Sequence, residues 1–248
     1  MATPRIAVVT PYHREPAEVL AECHRSVLAQ GVDADHVFVA DGFPQAQING
    51  WKARHVVLPS GHADAGNTPR GIGGMLAAAE RYDFIAYLDA DNWYHPGHLA
   101  SLLELQARTG ADVCTSWRTF HQADGAPLAI TEPAEDALKH VDTNCYLIGR
   151  GAFASLGVWL RMPPQVGTIG DRVFLAAMRH ARNSIVSTRQ RTVAYRTTHE
   201  FHYRLANLPA PTGAKPMGLV HPAEQWLLTK EGVDETVRAL GFWPASYM

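Results

Sequence analysis

Two aspartates that stand two positions apart, Asp89 and Asp91, give the sequence its clearest chemical signal. They flank Ala90 and follow the apolar run Phe84 to Leu88, which predicts a buried strand. Residues i and i+2 of an extended chain point to the same side, so both carboxylates are expected at the mouth of a sheet. Since like charges repel there, the pair predicts a hard divalent cation, Mg²⁺ or Mn²⁺, shared with the phosphates of a substrate. The alternative is that both acids only cap the helix predicted to begin near Pro96.

Several nucleotide-binding and metal-binding motifs are disfavoured by their surroundings. Pro11-Tyr12-His13 follows the first predicted strand, where a dinucleotide-binding fold needs glycines. The glycine run that begins at Gly71 lies inside a predicted helix, and the sequence has no P-loop pattern. The run His199 to His202 is one residue short of a zinc-protease motif and follows a strand. These features disfavour a dinucleotide-dependent dehydrogenase, a P-loop NTPase and a zinc protease.

The elements that must position the two aspartates alternate between strand and helix. Short apolar runs predict strands at Arg5 to Thr10, Val37 to Ala40, His55 to Leu58 and Phe84 to Leu88. Apolar residues at helical spacing predict helices at Pro16 to Gln30, Pro69 to Tyr82 and from Pro96 to just before Gly110. This order predicts a mostly parallel sheet with helices packed on it.

The second half of the chain has a different pattern. Further strands are predicted at Cys114 to His121, Pro127 to Thr131, Thr143 to Gly149 and Val193 to Thr197, and a helix at Asp171 to His180. Prolines and glycines predict a loop or linker from Leu208 to Pro222. Two short helices are predicted after it, at Ala223 to Lys230 and Val233 to Leu240.

Composition bounds the class of protein. A chain of 248 residues has room for one substantial domain. Its 22 basic and 24 acidic residues give a net charge of −2, so no basic excess indicates a nucleic-acid partner. The 3 scattered cysteines fit neither a disulfide scaffold nor a structural zinc site. With no signal peptide and no apolar run of the roughly 20 residues that span a bilayer, a cytoplasmic protein without a transmembrane segment is expected.

From Arg5 to about His202, these motifs occur in the order found in family 2 glycosyltransferases with the GT-A fold, which the chain resembles. The resemblance implies that the ends of the first two strands, an arginine and the Asp-x-Asp run contact the nucleotide. The implied residues are Thr10, Pro11, Tyr12, Asp41, Arg70, Asp89, Ala90 and Asp91. Asp41 is similar to the aspartate that binds the base, and Arg70 to the nucleotide-contacting arginine. The family usually has Asn after this arginine, whereas this chain has Gly71.

The same resemblance implies a metal site. Asp89 and Asp91 match the metal-binding pair, with Asp91 as the direct ligand of Mn²⁺ or Mg²⁺ and Asp89 also addressing the ribose. Family members often supply a further metal or phosphate contact from a C-terminal histidine. His199 is the preferred match for that histidine, and His202 is the alternative.

A catalytic base is also implied by the resemblance. Gly170-Asp171 stands where the family has an acidic pair before a helix, so Asp171 matches the general base that takes a proton from the acceptor hydroxyl. The alternative is that Asp171 only stabilises the start of a helix through its dipole. The segment Thr143 to Phe153 resembles the strand and turn that line the sugar and acceptor side.

The expected protein is a single α/β domain of the GT-A fold with a central mixed, mostly parallel sheet flanked by helices. Residues 1–205 form the glycosyltransferase domain, divided into a nucleotide half (1–92) and an acceptor half (93–205), and residues 206–248 form the loop and short C-terminal helices. The expected reaction is metal-dependent transfer of a sugar from a nucleotide-diphosphate donor, with a UDP-sugar as the leading candidate, to an acceptor hydroxyl. It proceeds with inversion, and Asp171 is the base. The acceptor class stays open between a saccharide, a lipid-linked molecule and a small molecule.

Three other functions stay open on the sequence alone. One is a retaining glycosyltransferase with the same donor site, and another is a non-catalytic protein that binds nucleotide sugars. The third is a nucleotidyltransferase, which should carry a glycine-rich loop with Arg or Lys after the first strand, and this chain does not. A homo-oligomer is also left open.

Overall fold

Short strands and helices alternate in the computed structural model, which describes residues 3–130 and 140–248. The strands are β1 (Ile6–Tyr12), β2 (Ala34–Asp41), β3 (Arg54–Leu58), β4 (Phe84–Tyr87), β5 (Trp93–Tyr94), β6 (Val113–His121), β7 (Pro127–Leu128), β8 (Tyr146–Gly149) and β9 (Ile185–Arg196). The helices are α1 (Ala17–Leu28), α2 (Asn67–Ala79), α3 (His98–Thr109), α4 (Gly170–His180), α5 (Glu200–Leu205), α6 (His221–Leu227) and α7 (Lys230–Leu240). Short 3₁₀ segments span Ala46–Gly50, Thr143–Cys145, Arg150–Leu160, Pro164–Ile169 and Pro244–Tyr247.

The strands of the described residues form one mixed sheet in the order β3-β2-β1-β4-β8-β6-β9-β5, with β7 beside β6. The pairs β1–β2, β1–β4, β2–β3 and β6–β9 are parallel, and β8 is antiparallel to both β4 and β6. Each parallel pair has at least 4 residues in register, whereas the antiparallel pairs have 3 or fewer. The expected mixed, mostly parallel sheet is therefore confirmed.

Hydrophobic burial explains why the central strands are continuous apolar runs. Every residue of β1 is buried, as expected of a parallel strand covered on both faces. Helix α1 buries Cys23 and Val27 against this core, and α3 buries Leu99 and Leu102. The helices and strands of the first half lie close to their predicted positions because the period of the apolar pattern is clear there.

The second half departs from the sequence prediction in its element bounds. β9 covers 12 residues and begins at Ile185 rather than Val193. Its middle carries exposed polar residues, Arg189 and Gln190, which hide the strand from an apolar pattern. Helix α5 begins at Glu200, and three residues separate it from the end of β9. Most of the run His199 to His202, which was expected to lie outside a helix, is therefore helical. Of the strand predicted at Pro127 to Thr131, the first two residues form β7, and Thr131 lies outside the described residues.

The C-terminal helices pack on the rest of the molecule. Ala223 and Leu227 of α6 and Leu240 of α7 form an apolar cluster with Val173 of α4 and with the 3₁₀ segment Pro164–Ile169. Within the described residues, no helix combines the length and apolar character that crossing a bilayer requires.

Candidate functional site

A cavity of about 420 Å³, the first pocket, lies where the parallel strands β1, β2 and β4 end. Open parallel sheets bind ligands at this edge because the loops after the strands leave a crevice there. Among the residues predicted to bind the nucleotide, those that line the first pocket are Pro11, Tyr12, Asp41, Arg70, Asp89, Ala90 and Asp91. Thr10 is fully buried, and its Oγ1 is 2.8 Å from Nε2 of His36.

The acidic run forms a turn after β4 instead of continuing the strand. The backbone N–H of Asn92 donates to the carbonyl oxygen of Asp89 at 3.0 Å and closes this turn. The expectation that Asp89 and Asp91 belong to an extended strand is therefore wrong. The chain has to turn here because β5, which follows at once, pairs with β9 rather than with a neighbour of β4. Both acids nevertheless line the first pocket.

Both carboxylate oxygens of Asp89 are engaged by other side chains. Arg70 Nη2 is 2.5 Å from Oδ1, and Asn144 Nδ2 donates to Oδ2 at 3.1 Å. The backbone N–H of Asp89 also donates to Asn144 Oδ1 at 2.5 Å. The charge of Asp89 is thus neutralised by Arg70 within the protein.

Asp91 has a different environment. Burial, with repulsion from Asp89 and Glu15, raises the pKa of the Asp91 carboxyl to about 7, and the charge of Lys215 opposes this shift. Arg196 Nη1 approaches at 2.8 Å, but it donates to the backbone carbonyl of Asp91 and not to the carboxylate. The ionised form of Asp91 is therefore disfavoured at this end of the first pocket unless a positive charge compensates it.

The donor chemistry of Asp91 fits a hard divalent cation. Mg²⁺ and Mn²⁺ take carboxylate oxygens and usually complete their coordination with phosphate oxygens and water. Within the described residues, no group of three or more His, Cys, Asp or Glu side chains could hold a metal by itself. The arrangement fits a cation shared with a phosphate ligand, in which Asp91 is the direct ligand and Asp89 stays paired with Arg70.

Asp41, the predicted base-binding residue, is held by a histidine from the loop between β3 and α2. His62 Nδ1 is 2.6 Å from Asp41 Oδ1, and the His62 backbone N–H donates to Oδ2 at 3.0 Å. The same loop contains Ala63 and Ala65 with φ of 54° and 60°, a left-handed conformation that is costly for residues other than glycine. A ligand that takes the Asp41 carboxylate therefore has to share it with His62.

A second cavity of about 430 Å³, the second pocket, contains the predicted base Asp171 and the predicted metal ligand His199. Its other lining residues come from β6, β9, α4, α5, the residues just before the 3₁₀ segment Thr143–Cys145, and the chain that leads into α6. They include Arg118, His140, Asp142, Arg172, Tyr195, Phe201, His202 and the run 216–221. Apart from the buried Thr10, which lines neither pocket, the structure thus separates the predicted site residues into two groups, one in each pocket.

Asp171 lies in the first turn of α4 and forms an ion pair with a histidine. His140 Nε2 donates to Asp171 Oδ2 at 2.7 Å. Burial opposes ionisation of Asp171, but the charge and hydrogen bond of His140 prevail and hold the pKa of the carboxyl below its usual range. Burial likewise opposes protonation of His140, and Asp171 reverses this and raises the pKa of the imidazole. The carboxylate is therefore ionised at neutral pH, and its role as the catalytic base stays a prediction.

His199 lies just after β9 and is not among the lining residues of the first pocket. It pairs through a β-bridge with Lys215, and its backbone N–H donates to Thr197 Oγ1 at 3.1 Å. His202, the alternative, is buried and hydrogen-bonded to the same hydroxyl at 2.7 Å. The role of His199 as a metal ligand stays a prediction.

Close packing accounts for the two glycines at which the chain departs from the family pattern. A Cβ at Gly71 would lie 2.6 Å from Leu160 Cδ2, and a Cβ at Gly170 would lie 2.8 Å from Asn67 Oδ1 and 3.2 Å from the Trp159 ring. A Cβ at Gly71 would require the exposed Leu160 side chain to move, and a Cβ at Gly170 would require the buried Asn67 side chain to move.

Three residues that hold the acids of the two pockets were not singled out by sequence reasoning: His62, His140 and Asn144. Asn144 lies in the segment that resembles the family's acceptor side, but its amide carries no spacing signal. The 13 histidines of the chain give no pattern by which His62 and His140 stand out. Each is identified only by its contact in the structure: His62 with Asp41, His140 with Asp171 and Asn144 with Asp89.

Similarity to known proteins indicates the family and the fold of the chain. The family model described as "Glycosyl transferase family 2" matches residues 7–154, more than half of the chain. A search of curated proteins found no match.

Among solved structures, the chain is similar to TarS from S. aureus. Residues 1–349 of TarS in complex with UDP share 14% sequence identity, with a TM-score of 0.60 over 82% of this chain and 64% of that one. The same fragment in complex with UDP-GlcNAc gives 12% identity and a TM-score of 0.54, covering 94% of this chain and 73% of that one. A longer TarS structure gives 14% identity and 0.59, covering 81% of this chain and 38% of that one. At these identities the likeness is one of fold, and it matches the expected GT-A architecture.

Proposed function

The chain belongs to glycosyl transferase family 2 and is a glycosyltransferase, and we propose that it moves a sugar from a UDP-sugar to an acceptor hydroxyl with inversion. The observation that carries this proposal is the convergence of Asp41, Arg70, Asp89 and Asp91 in one pocket at the ends of three parallel strands. The structural likeness to TarS, which has been solved with UDP and with UDP-GlcNAc, supports a uridine nucleotide as the donor.

Donor binding follows from the residues of the first pocket. Asp41 is the acceptor for an N–H group of the base, and His62 orients its carboxylate. Arg70 is held at Asp89 and adds a fixed positive charge beside the acids. Asp91 would hold Mn²⁺ or Mg²⁺ as the direct ligand, with Asp89 beside it. His199, which lines the second pocket, stays the predicted further contact to the metal or phosphate. Such a cation would add positive charge beside the diphosphate leaving group and so stabilise it.

Acceptor activation is assigned to the second pocket. Asp171 takes the proton of the acceptor hydroxyl while the hydroxyl oxygen forms a bond to the anomeric carbon. The bond from that carbon to the diphosphate breaks, and its electron pair leaves with UDP. His140 keeps Asp171 ionised and oriented before the proton is transferred. Attack from the face opposite to the leaving group inverts the anomeric centre.

The cytoplasm remains the proposed compartment. All three cysteines, Cys23, Cys114 and Cys145, lie in the described part of the chain, are buried and form no disulfide. Buried thiols of this kind are typical of proteins in reducing compartments.

A binding and hydrolysis experiment tests the proposal. UDP is expected to raise the melting temperature more in Mn²⁺ than in EDTA, because the cation would tighten binding of the diphosphate. A ligand at 100 times its Kd adds about 2.7 kcal/mol to the free energy of unfolding. With water as acceptor, the unchanged protein should release UDP from UDP-GlcNAc, and the first sugar observed by NMR should be the β-anomer. Asp171→Asn should bind UDP normally and lose hydrolysis, whereas Asp234→Asn, an exposed acid of α7, should retain both.

Three results would count against parts of the proposal. No response to any nucleoside diphosphate with or without metal would refute the donor site. Release of the α-anomer would indicate a retaining reaction, and unchanged hydrolysis in Asp171→Asn would remove the base. Binding without turnover by the unchanged protein would favour a non-catalytic nucleotide-sugar binding protein.

A further inference from the structure

A chain of polar contacts joins the first pocket to the second through one buried amide, Asn144. Its Nδ2 group donates to Asp89 Oδ2 at 3.1 Å and to Asp142 Oδ1 at 2.6 Å. The other oxygen of Asp142 forms an ion pair with Arg118 Nη1. Asp89 lines the first pocket, and Asp142 and Arg118 line the second, so the contacts connect the two cavities.

The location of Asn144 in the sheet explains why it can make this connection. It belongs to the 3₁₀ segment Thr143–Cys145, which leads directly into β8. β8 lies between β4, whose end carries Asp89, and β6, which carries Arg118. Asp142 caps the segment by accepting the backbone N–H of Asn144 at 3.0 Å. Asn144 therefore stands where the parallel nucleotide half of the sheet meets the second half.

The chemistry of the position requires a carboxamide. Asn144 is 0% exposed, and the side chains of Arg118 and Asp142 are 7% and 12% exposed, so water competes little for these groups. The amide oxygen accepts the Asp89 backbone N–H while the NH₂ group serves two carboxylates. An aspartate there would place a third negative charge between two others, and an apolar residue would leave both carboxylates short of a donor.

We propose that Asn144 is a positioning residue that couples the two pockets. It divides its NH₂ group between Asp89 on the donor side and the Asp142–Arg118 ion pair on the acceptor side, so a change at one end alters the hydrogen bond at the other. Without Arg118, the uncompensated Asp142 carboxylate draws the amide toward itself, and Asp89 loses its share. The inference rests on the proposed function for the ligand of the first pocket.

A double-mutant cycle that measures the Kd of UDP in the presence of Mn²⁺ tests the coupling. The four proteins are the unchanged chain, Arg118→Gln, Asn144→Ala and the double variant. Arg118→Gln is expected to weaken UDP binding on the order of fivefold, although Arg118 lines the other pocket. In the Asn144→Ala background, the same change should have no further effect, because the route between the pockets is already broken.

A matched control separates coupling from a loss of stability. Thr236 of α7 is as buried as Asn144 and bonds only within its own helix, so Thr236→Ala should lower the melting temperature and leave the Kd of UDP unchanged. If Arg118→Gln does not fold, Arg118→Lys takes its place in the cycle. UDP binding that is unaffected by the Arg118 change, or effects that multiply independently in the double variant, would overturn the coupling alone. Failure of the unchanged chain to bind UDP would overturn the proposed function as well.

Discussion

Asp89 and Asp91 lie in one short turn but have different electrostatic environments. Asp89 is paired with Arg70 and hydrogen-bonded to Asn144, whereas Asp91 faces Asp89 and Glu15 and its pKa is raised to about 7. An acid paired with an arginine and a buried acid whose ionised form lacks a compensating cation are suited to different tasks. This difference supports Asp91 as the side chain that binds a cation, with Asp89 as its neighbour.

The metal assignment predicts which variant loses cation-dependent binding. Asp91→Asn should weaken UDP binding in Mn²⁺ by at least the roughly 10- to 100-fold that is typical even for residues around a metal site, and it should leave binding in EDTA unchanged. Calorimetric titration of UDP with and without Mn²⁺ measures both. His199→Ala is expected to reduce the metal-dependent part less strongly, and an unchanged metal dependence in that variant would exclude His199 as a ligand.

The ion pair in the second pocket predicts a pH dependence of stability. The pKa of His140 is raised in the folded protein, so protonation of His140 stabilises the fold. This contribution is fully present at pH values below the usual pKa of 6.5 and is lost as the pH rises through the pKa of the folded protein. The pKa of Asp171 is lowered in the folded protein, so ionisation of Asp171 stabilises the fold. This contribution is fully present at pH values above the usual pKa of 3.8 and is lost as the pH falls through the pKa of the folded protein. The difference in free energy of unfolding between the unchanged protein and His140→Gln should therefore be largest between these two values.

The pH dependence of the hydrolysis rate should also depend on the ion pair between His140 and Asp171. Removing His140 leaves the burial of Asp171 without its opposing charge, so the pKa of the base should rise. The acid limb of the hydrolysis rate against pH should then move to higher pH in His140→Gln. An acid limb that stays in place would show that Asp171 is not the group that titrates during the reaction.

At the scale of elements, α2 carries Arg70 to the first pocket and lies very close to the sheet. A Cβ at Gly73 would lie 2.4 Å from Val9 Cγ1 and 3.0 Å from Val39 Cγ2. Both valines belong to central strands and are buried, so they have little freedom to move aside. The glycine at position 73 thus allows α2 to pack closely on the sheet. This packing role agrees with the location of the glycine run inside a helix and not at the turn after the first strand, where a dinucleotide-binding motif would lie.

Because of this close approach, Gly73→Ala should lower the free energy of unfolding, whereas the same change in an isolated helix would raise helix stability. Gly73→Ala adds about 1 kcal/mol of helix propensity, but the overlap with Val9 should cost about 1–3 kcal/mol. We expect a net loss of stability in urea unfolding. Met75→Ala on the exposed face of the same helix, where the side chain is 44% exposed, should change the free energy of unfolding little. A Gly73→Ala protein that is more stable than the unchanged chain would contradict the close packing.

At the scale of the whole molecule, the C-terminal segment completes the second pocket. Residues 216–221 line that pocket, and Glu224 of α6 pairs with Arg172, the neighbour of Asp171, at 2.5 Å. Leu227 is buried in the apolar cluster that α6 and α7 form with α4. The support of the proposed base therefore comes partly from residues far along the chain.

Two adjacent leucines test whether this segment unfolds together with the rest. Leu227 is 2% exposed and Leu228 is 67% exposed. Leu227→Ala should lower the free energy of unfolding by about 2–5 kcal/mol in a single cooperative transition, and Leu228→Ala should have almost no effect. A separate early transition in Leu227→Ala, with hydrolysis retained after it, would show that the segment is an independent unit.

The sequence by itself determined the alternation of strands and helices in the first half and the residues of the first pocket. Period and motif order are local properties, so the resemblance in motif order to family 2 glycosyltransferases already implied that Asp41, Arg70 and Asp91 lie together. Only the tertiary structure decided the partners of these acids. Asn144 reaches Asp89 across 55 positions, His140 reaches Asp171 across 31, and His62 reaches Asp41 across 21. No local pattern encodes such contacts, because they depend on how the sheet and its loops pack in space.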